Sequence, residues 1–268
     1  MNAGQVSPSR LGTWLLSRGR HFVTTAEVAE LVGVSTGSVP ISLQRARDAC
    51  TIVSVTKGGW VPVPPEYQSA GAPPPIHYID PMMKHLGHPY YVGFLSSARI
   101  HGASHQVPMV LQVATSALLR ERRIGDSRIQ FIRRAKTATR PVQLHNVETG
   151  RVTVATSSTT ILDIVEAPEF AAGLGNVGTV LGELAIEGLV DGERLAATAA
   201  DYPATVAQRA GWLIEQMARE VDAQVELDAL AKFAAAHDYT VLDPRSPAEG
   251  ERDPRWRILV NTGVEHDL

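Results

Sequence analysis

Residues 23–62 read VTTAEVAELVGVSTGSVPISLQRARDACTIVSVTKGGWVP, and this stretch decides the fold. Thr24-Thr25-Ala26-Glu27 fits a capping box, in which a hydroxyl and a Glu three residues on satisfy two backbone N–H groups at a helix start. The helix it opens runs to about Leu31. Gly33 then takes the sharp turn, where a Cβ would be costly. Ser35 or Ser38 caps a second helix of this stretch, which runs to about Ala49. Pro40 is tolerated only near the first turn, so that helix starts near Ser38 or bends there. Thr51–Val63 alternates apolar and polar residues around Lys57-Gly58-Gly59, a hairpin signal. Upstream, residues 10–18 (RLGTWLLSR) carry Leu11, Trp14 and Leu15 at helical spacing and supply one more helix. Three helices followed by a β-wing is the pattern of a winged helix-turn-helix, a module that lays one helix in the DNA major groove.

The third helix can be read by angle. At about 100° per residue, Val39, Leu43, Ala46 and Cys50 cluster on a core face. The opposite side carries Gly37, Ser38, Ile41, Gln44, Arg45 and Asp48, with Arg47 on a flank. An outward Ile41 suits a thymine methyl; Arg45 and Gln44 are the types that read guanine and adenine edges. Ser38 suits a phosphate or a base, and Lys57 at the wing tip a phosphate. Trp60 is expected to pack under the wing. The bland alternative is a small solvated helix with one stray apolar residue.

Outward from this head, residues 64–81 (PPEYQSAGAPPPIHYIDP) are rich in Pro, Gly and Ala and predict an extended, semi-stiff connector. The expected division is 1–80 for the DNA-binding head with its linker and 81–268 for a larger mixed α+β domain. That second domain is expected to open with a helix over Tyr90–His101. A small, mostly antiparallel sheet follows over 107–155, with Ile129 and Phe131 of the RIQFIRR strand pointing inward together. Helices come next at roughly 158–166, 176–188, 191–200, 203–218 and 222–236. Short strands at Tyr239–Leu242 and Trp256–Val260 close the chain. Strands followed by helices argue α+β.

An apolar fraction of 44% with 20% charged residues describes a globular chain of ordinary domain size, with no membrane span and no signal-like start. The single cysteine, Cys50, excludes an intrachain disulfide and is expected as an inert buried thiol. These features suit a cytoplasmic protein. Charge is unevenly spread: residues 1–65 carry a net +3, 66–83 a net −2, 84–151 a net +8 and 152–268 a net −12. A basic front and an acidic back fit a front that meets a polyanion. Arg120, Arg122, Arg123, Arg128, Arg133 and Arg134, with Lys136 and Arg140, form a dense basic stretch that would extend a DNA footprint or hold an RNA or an acidic partner. A merely solvated face is the alternative.

Other motifs carry less. Gly173, Gly175 and Gly178 have the G-x-G-x-x-G spacing, but Glu166-Ala167-Pro168-Glu169 before them is no strand, and the segment after them is helical. His85 and His88, and His101 and His105, invite a metal reading, yet Gly102 breaks the helix that would align the second pair. No Ser/His/Asp or Cys/His order, P-loop or nuclease-like cluster stands out. No enzyme, cofactor or metal is therefore expected.

The layout resembles a known family. A winged helix-turn-helix is followed by YYVGFLSSARIHGASHQVPMVLQVAT (90–115), RIQFIRR (128–134), VTVATSSTTILDIVE (152–166), RAGWLIEQ (209–216) and a terminal WRILVNT (256–262). In this order the segments resemble the AbiEi antitoxins of type IV toxin–antitoxin pairs. The resemblance implies that the head binds and represses the operon's own promoter. It also implies that the second domain counters a nucleotidyltransferase-like toxin encoded next door. The chain departs from the family pattern at Ser158-Thr159-Thr160, where members often carry Glu-Arg, and keeps Asp163. Alternatives from the residues alone are a transcriptional regulator whose α+β domain senses a small molecule, or a nuclease that uses the head for targeting.

Overall fold

A computed structural model describes residues 5–103 and 110–265. The described chain is mixed α+β. Its helices, in order, are α1 (Leu11–Leu16), α2 (Thr25–Val32), α3 (Val39–Ser42), α4 (Gln44–Asp48), α5 (Ile79–Leu86), α6 (Phe94–Ile100), α7 (Ser157–Glu166), α8 (Leu174–Ile186), α9 (Gly192–Ala199), α10 (Ala204–Glu220) and α11 (Asp228–Ala235). Its strands are β1 (Val23–Thr24), β2 (Ile52–Thr56), β3 (Gly59–Pro62), β4 (Tyr90–Val92), β5 (Val110–Thr115), β6 (Arg122–Ile124), β7 (Ser127–Arg133), β8 (Val142–Val147), β9 (Gly150–Ala155), β10 (Thr240–Val241), β11 (Glu251–Asp253) and β12 (Ile258–Val260). Contacts divide the chain into two compact units. The first is Met1–Tyr90, Met109–Ala135 and Leu144–Thr153; the second is Tyr91–Pro108, Lys136–Gln143 and Val154–Leu268.

In the first unit, α1, α2, α3 and α4 surround one apolar core of Leu11, Leu15, Val28, Val32, Val39, Leu43, Ala46 and Ile52. The capping box that opens α2 is complete. The Glu27 N–H donates to the Thr24 hydroxyl and the Thr24 N–H donates to Glu27 at 2.7 Å. Gly33 ends α2 with φ +77, a left-handed position that favours glycine. Beyond it the single helix expected over 38–49 is in fact a 3-10 turn at Thr36–Ser38 followed by α3 and α4, separated at Leu43. Pro40, with no N–H to give, sits in the first turn of α3, where none is needed. Cys50 is not a core residue of this helix. It lies past the end of α4, half-buried, in a left-handed turn with φ +50. The β2–β3 hairpin turns at Lys57-Gly58, with Thr56 opposite Gly59, and β1 pairs antiparallel with β3 to give the order β1-β3-β2.

The connector is not an extended spacer. Its prolines start 3-10 turns at Pro65–Tyr67 and Pro75–His77, where a fixed φ and a missing N–H fit, and Ala72, Pro73 and Pro75 are buried. The Asp126 N–H donates to the Ala70 carbonyl at 3.0 Å, and a Cβ on Gly125 would collide with that carbonyl. The connector therefore folds onto the β6–β7 turn of its own unit. Helix α5 follows it, burying Ile79, Met82 and Met83. The strands of this unit run β6-β7-β5, and β5 pairs with β7 in parallel from Val110↔Arg128 to Thr115↔Arg133. The expectation of a mostly antiparallel sheet is thus corrected. Hydrophobic alternation defines a strand but not the direction of its neighbour. Along β7, Ile129 and Ile132 are buried while Phe131 is half-buried, so apolar cover reaches both faces of the strand instead of one.

In the second unit, Val92 pairs in parallel with Val154. The segment expected as one helix over 90–101 therefore begins as strand β4. Aromatic and β-branched residues there favour extended backbone, and α6 starts only after Gly93. The centre of the unit is α10, packed against α7, α8, α9 and α11. Gly211 on α10 lies flat under the indole of Trp256, whose Nε1 donates to Glu215 at 2.6 Å. Gly173 follows a 3-10 turn, Pro168–Ala171, and opens α8, with no strand before it. Helix α11 is shorter than expected, since 222–227 is not helical. A small sheet ordered β10-β12-β11 includes β11, which carries no apolar alternation to announce it. No helix among the described residues is long and apolar enough to cross a membrane.

Candidate functional site

The break at Leu43 decides what α3 and α4 present. Val39, Leu43 and Ala46 turn into the core, and Ser38, Ile41, Gln44, Arg45 and Arg47 are all exposed. Ile41 stands 78% exposed, an uncommon position for a large aliphatic group with no contact to cover it. Ile41, Gln44 and Arg45 border an open groove whose far wall is Ser7 and Ser9, on the turn that precedes α1. The Ser7 and Ser9 hydroxyls lie 3.1 Å apart. Sequence reasoning missed this wall, because a Ser-Pro-Ser start has no periodicity to place it. Asp48 also lines the groove and tempers its positive charge. The Ser38 hydroxyl is paired with that of Ser35 at 2.8 Å.

Lys57 is exposed at the hairpin tip, and the tip is held from several sides. Gly58 takes φ +78, and its carbonyl accepts from the Thr25 N–H at 2.8 Å. Trp60 is buried beneath, its Nε1 donating to the Thr25 hydroxyl at 2.9 Å. From α5, His85 Nε2 donates to the Lys57 carbonyl at 3.1 Å, and its ring packs at 5.7 Å from that of Phe22. His85 is thus a buttress of the hairpin tip. The 28-residue gap to Lys57 left no trace of this in the sequence. His101 donates from Nε2 to the Ala155 carbonyl at 2.8 Å, and His105 lies outside the described residues. Among the described residues, no three His, Cys, Asp or Glu side chains gather as a metal site requires.

The basic stretch is not one uniform surface. Arg120, Arg123, Arg128 and Arg133 are exposed, with Arg128 paired to Glu121 at 3.6 Å. Arg122 is half-buried and donates to the Val55 carbonyl at 3.4 Å, and Arg134 is half-buried as well. In the second unit Lys136 pairs with Asp201 at 3.1 Å, and Arg140 is buried over the ring of Tyr202 at 3.2 Å.

That arginine borders a buried polar centre. Asp163 on α7 has no exposed surface and accepts from Tyr91 at 2.7 Å and Tyr202 at 2.9 Å. Burial, and then the Asp163 carboxylate, push the Tyr202 phenol far above its ordinary range, with Arg140 opposing. Ser158, Thr159 and Thr160 are buried beside it. Thr159 donates to the Pro141 carbonyl at 2.8 Å, and the Thr160 and Ser97 hydroxyls pair at 2.8 Å. The Thr159 and Thr160 hydroxyls are thus hydrogen-bonded within this unit. Tyr91 and Tyr202 were not foreseen, being 72 and 39 residues from Asp163.

Residues 91–216 match the family model described as the AbiEi antitoxin C-terminal domain. Among solved structures, the chain is similar to that of the RV2827C protein from Mycobacterium tuberculosis. The two share 16% sequence identity and a TM-score of 0.65, over 96% of this chain and 94% of that one. At this identity the likeness concerns the fold alone. No curated protein matches the chain.

Proposed function

With residues 91–216 belonging to the AbiEi antitoxin family, we propose that the chain is a DNA-binding antitoxin that represses its own operon. Residues 1–80 act as a winged helix-turn-helix, and 81–268 as the domain that counters a nucleotidyltransferase-like toxin. The single observation that carries the DNA-binding part is the outward face of α3 and α4. There Ile41, Gln44 and Arg45 stand exposed beside a groove, and Lys57 is exposed at the tip of the β2–β3 hairpin. An apolar group, an amide and a guanidinium on one exposed helical face match the chemistry of base edges in the major groove. Ser38 and Arg47 flank this face, and Lys57 adds a phosphate contact.

In this reading the protein works in the cytoplasm by binding and without catalysis. Its partners are double-stranded DNA of its own promoter and the toxin. Arg120, Arg123, Arg128 and Arg133 provide a secondary basic surface, whereas Arg122 and Arg134 support it from half-buried positions. Gel-shift titration of the purified chain on the DNA upstream of its gene, against a scrambled duplex, tests the first part. Equal affinity for both duplexes overturns it. Co-expression with the neighbouring gene product, scoring growth, tests the second; growth arrest despite the antitoxin overturns it.

A further inference from the structure

The groove bordered by Ile41, Gln44 and Arg45 has an acidic member, Asp48. These four positions repeat as i, i+3, i+4 and i+7, the spacing with which a recognition helix presents side chains to base edges. One groove holds them together despite the break at Leu43. Asp48 is exposed, and among the described residues its carboxylate has no hydrogen-bond or ion-pair partner. Arg45, three residues earlier on α4, does not pair with it. The fold gains nothing from this carboxylate, since the C-terminal end of a helix disfavours negative charge. Arg45 and Asp48 are the charged residues lining the groove, one of each sign, beside Ser, Pro, Ile and Gln. A groove without net charge is poorly suited to gripping a phosphate strand, which gathers cations. It suits base edges, which set donors and acceptors side by side.

A carboxylate only accepts hydrogen bonds. The major groove offers it two kinds of amine, N4 of cytosine and N6 of adenine. Adenine sets its N7 acceptor beside that amine, where it would repel the second carboxylate oxygen, so cytosine is the fitting base. We infer that Asp48 is a base-reading residue that accepts from the N4 amine of an operator cytosine. Three residues of helix advance about 4.5 Å, against about 3.4 Å per base pair. The cytosine therefore lies about one or two base pairs from the base read by Arg45. Where no amine meets it, the carboxylate faces acceptors and phosphates and is repelled, which penalises wrong duplexes. Asp48 thus lowers affinity for DNA in general and raises selectivity. This role requires α3 and α4 to enter the major groove, as proposed above.

Selection by the full chain from a library of random duplexes, followed by titration of the selected site and of a scrambled duplex, tests this role. The unmutated chain should select a site in which such a cytosine lies close to the guanine whose selection is lost in Arg45→Ala. Asp48→Ala should lose about tenfold of the preference for that cytosine and keep the guanine. It should also bind the scrambled duplex about two- to threefold more tightly at low salt. Asp48→Asn should move the preference at that position towards adenine, whose N6 and N7 match an amide. Asp48 is exposed, so both variants leave the core of the unit untouched. Selection of the same site by the unmutated chain and Asp48→Ala overturns the role of Asp48 and leaves the DNA-binding reading standing. So does tighter binding of the scrambled duplex with unchanged base preference, which would make Asp48 a purely electrostatic brake. Failure of the unmutated chain to select any sequence overturns both.

Discussion

The Tyr202 phenol donates a 2.9 Å hydrogen bond to Asp163, a carboxylate with no exposed surface, and Arg140 covers the other side of the same ring. Carboxylate, phenol and guanidinium therefore meet in one buried centre. Asp163→Ala removes the buried acceptor of the Tyr91 and Tyr202 hydroxyls, leaving Tyr202 the longer 3.4 Å bond to the Thr159 carbonyl, and should destabilise the second unit by about 3–5 kcal/mol. Tyr202→Phe removes one bond to a charged acceptor and should cost about 1.5–3 kcal/mol. Urea unfolding checks the order of the two. Stabilities equal to that of the unmutated chain would show that the centre contributes nothing.

Arg45 and Lys57 should separate in binding assays. If Arg45 reads a base edge, Arg45→Ala weakens the cognate duplex by about 1–3 kcal/mol and narrows its margin over scrambled DNA. If Lys57 contacts a phosphate, Lys57→Ala weakens both duplexes alike and flattens the salt dependence. Unchanged cognate binding by Arg45→Ala would sink the groove assignment.

The α2 cap sets an acid limit. Burial would raise the Glu27 carboxyl, but hydrogen bonds from Thr24, with Arg20 adding its charge, hold it below its ordinary 4.5. A lowered carboxyl contributes stability that is present above 4.5 and lost as pH falls through its folded value. Thr24→Ala should cost about 1 kcal/mol at neutral pH, and Glu27→Gln should flatten the acid branch of stability against pH. A Glu27→Gln profile parallel to that of the unmutated chain would contradict this.

His77 titrates with the opposite charge change. Burial lowers its folded value below 6.5, so the unfolded chain takes up a proton before the folded one does. Stability is full above 6.5 and declines as pH falls from there to the folded value. An NMR titration should place the His77 midpoint below 6.5, and His77→Gln should remove that decline. A midpoint above 6.5 would reverse the sign.

Gly211 has no room for a side chain. A Cβ there would lie 2.0 Å from the Trp256 ring, which is fully buried and tied to Glu215. Gly211→Ala gains helix propensity, but overpacking should outweigh it and lower stability by about 1–3 kcal/mol. A rise in the melting temperature would mean that the indole shifts freely.

Local signals were legible because they are written within a few residues. Thr24 and Glu27 announce a helix start, Gly33 its turn, Lys57-Gly58-Gly59 a hairpin, and the spacing of Val39, Leu43 and Ala46 a core face. The single third helix misread the same region, because nothing in LQRA marks the break at Leu43. The connector also deceived: its proline content fits extended backbone and 3-10 turns alike, and only the contact of Ala70 with Gly125 and Asp126 selects the second.

By itself, the sequence determined the start and end of α2, the β2–β3 hairpin, which face of α3 and α4 is apolar, and the α+β class. Each follows from capping, turn chemistry or periodicity over a few residues. Only the tertiary structure decided the parallel pairing of β5 with β7 and the buttress of His85 on Lys57. It alone also closed Tyr91 and Tyr202 on Asp163, and laid the indole of Trp256 against Gly211. These relationships join residues tens of positions apart. Their partners are chosen by the burial of whole faces and the need to pair every buried polar group, and no short window of residues carries that information.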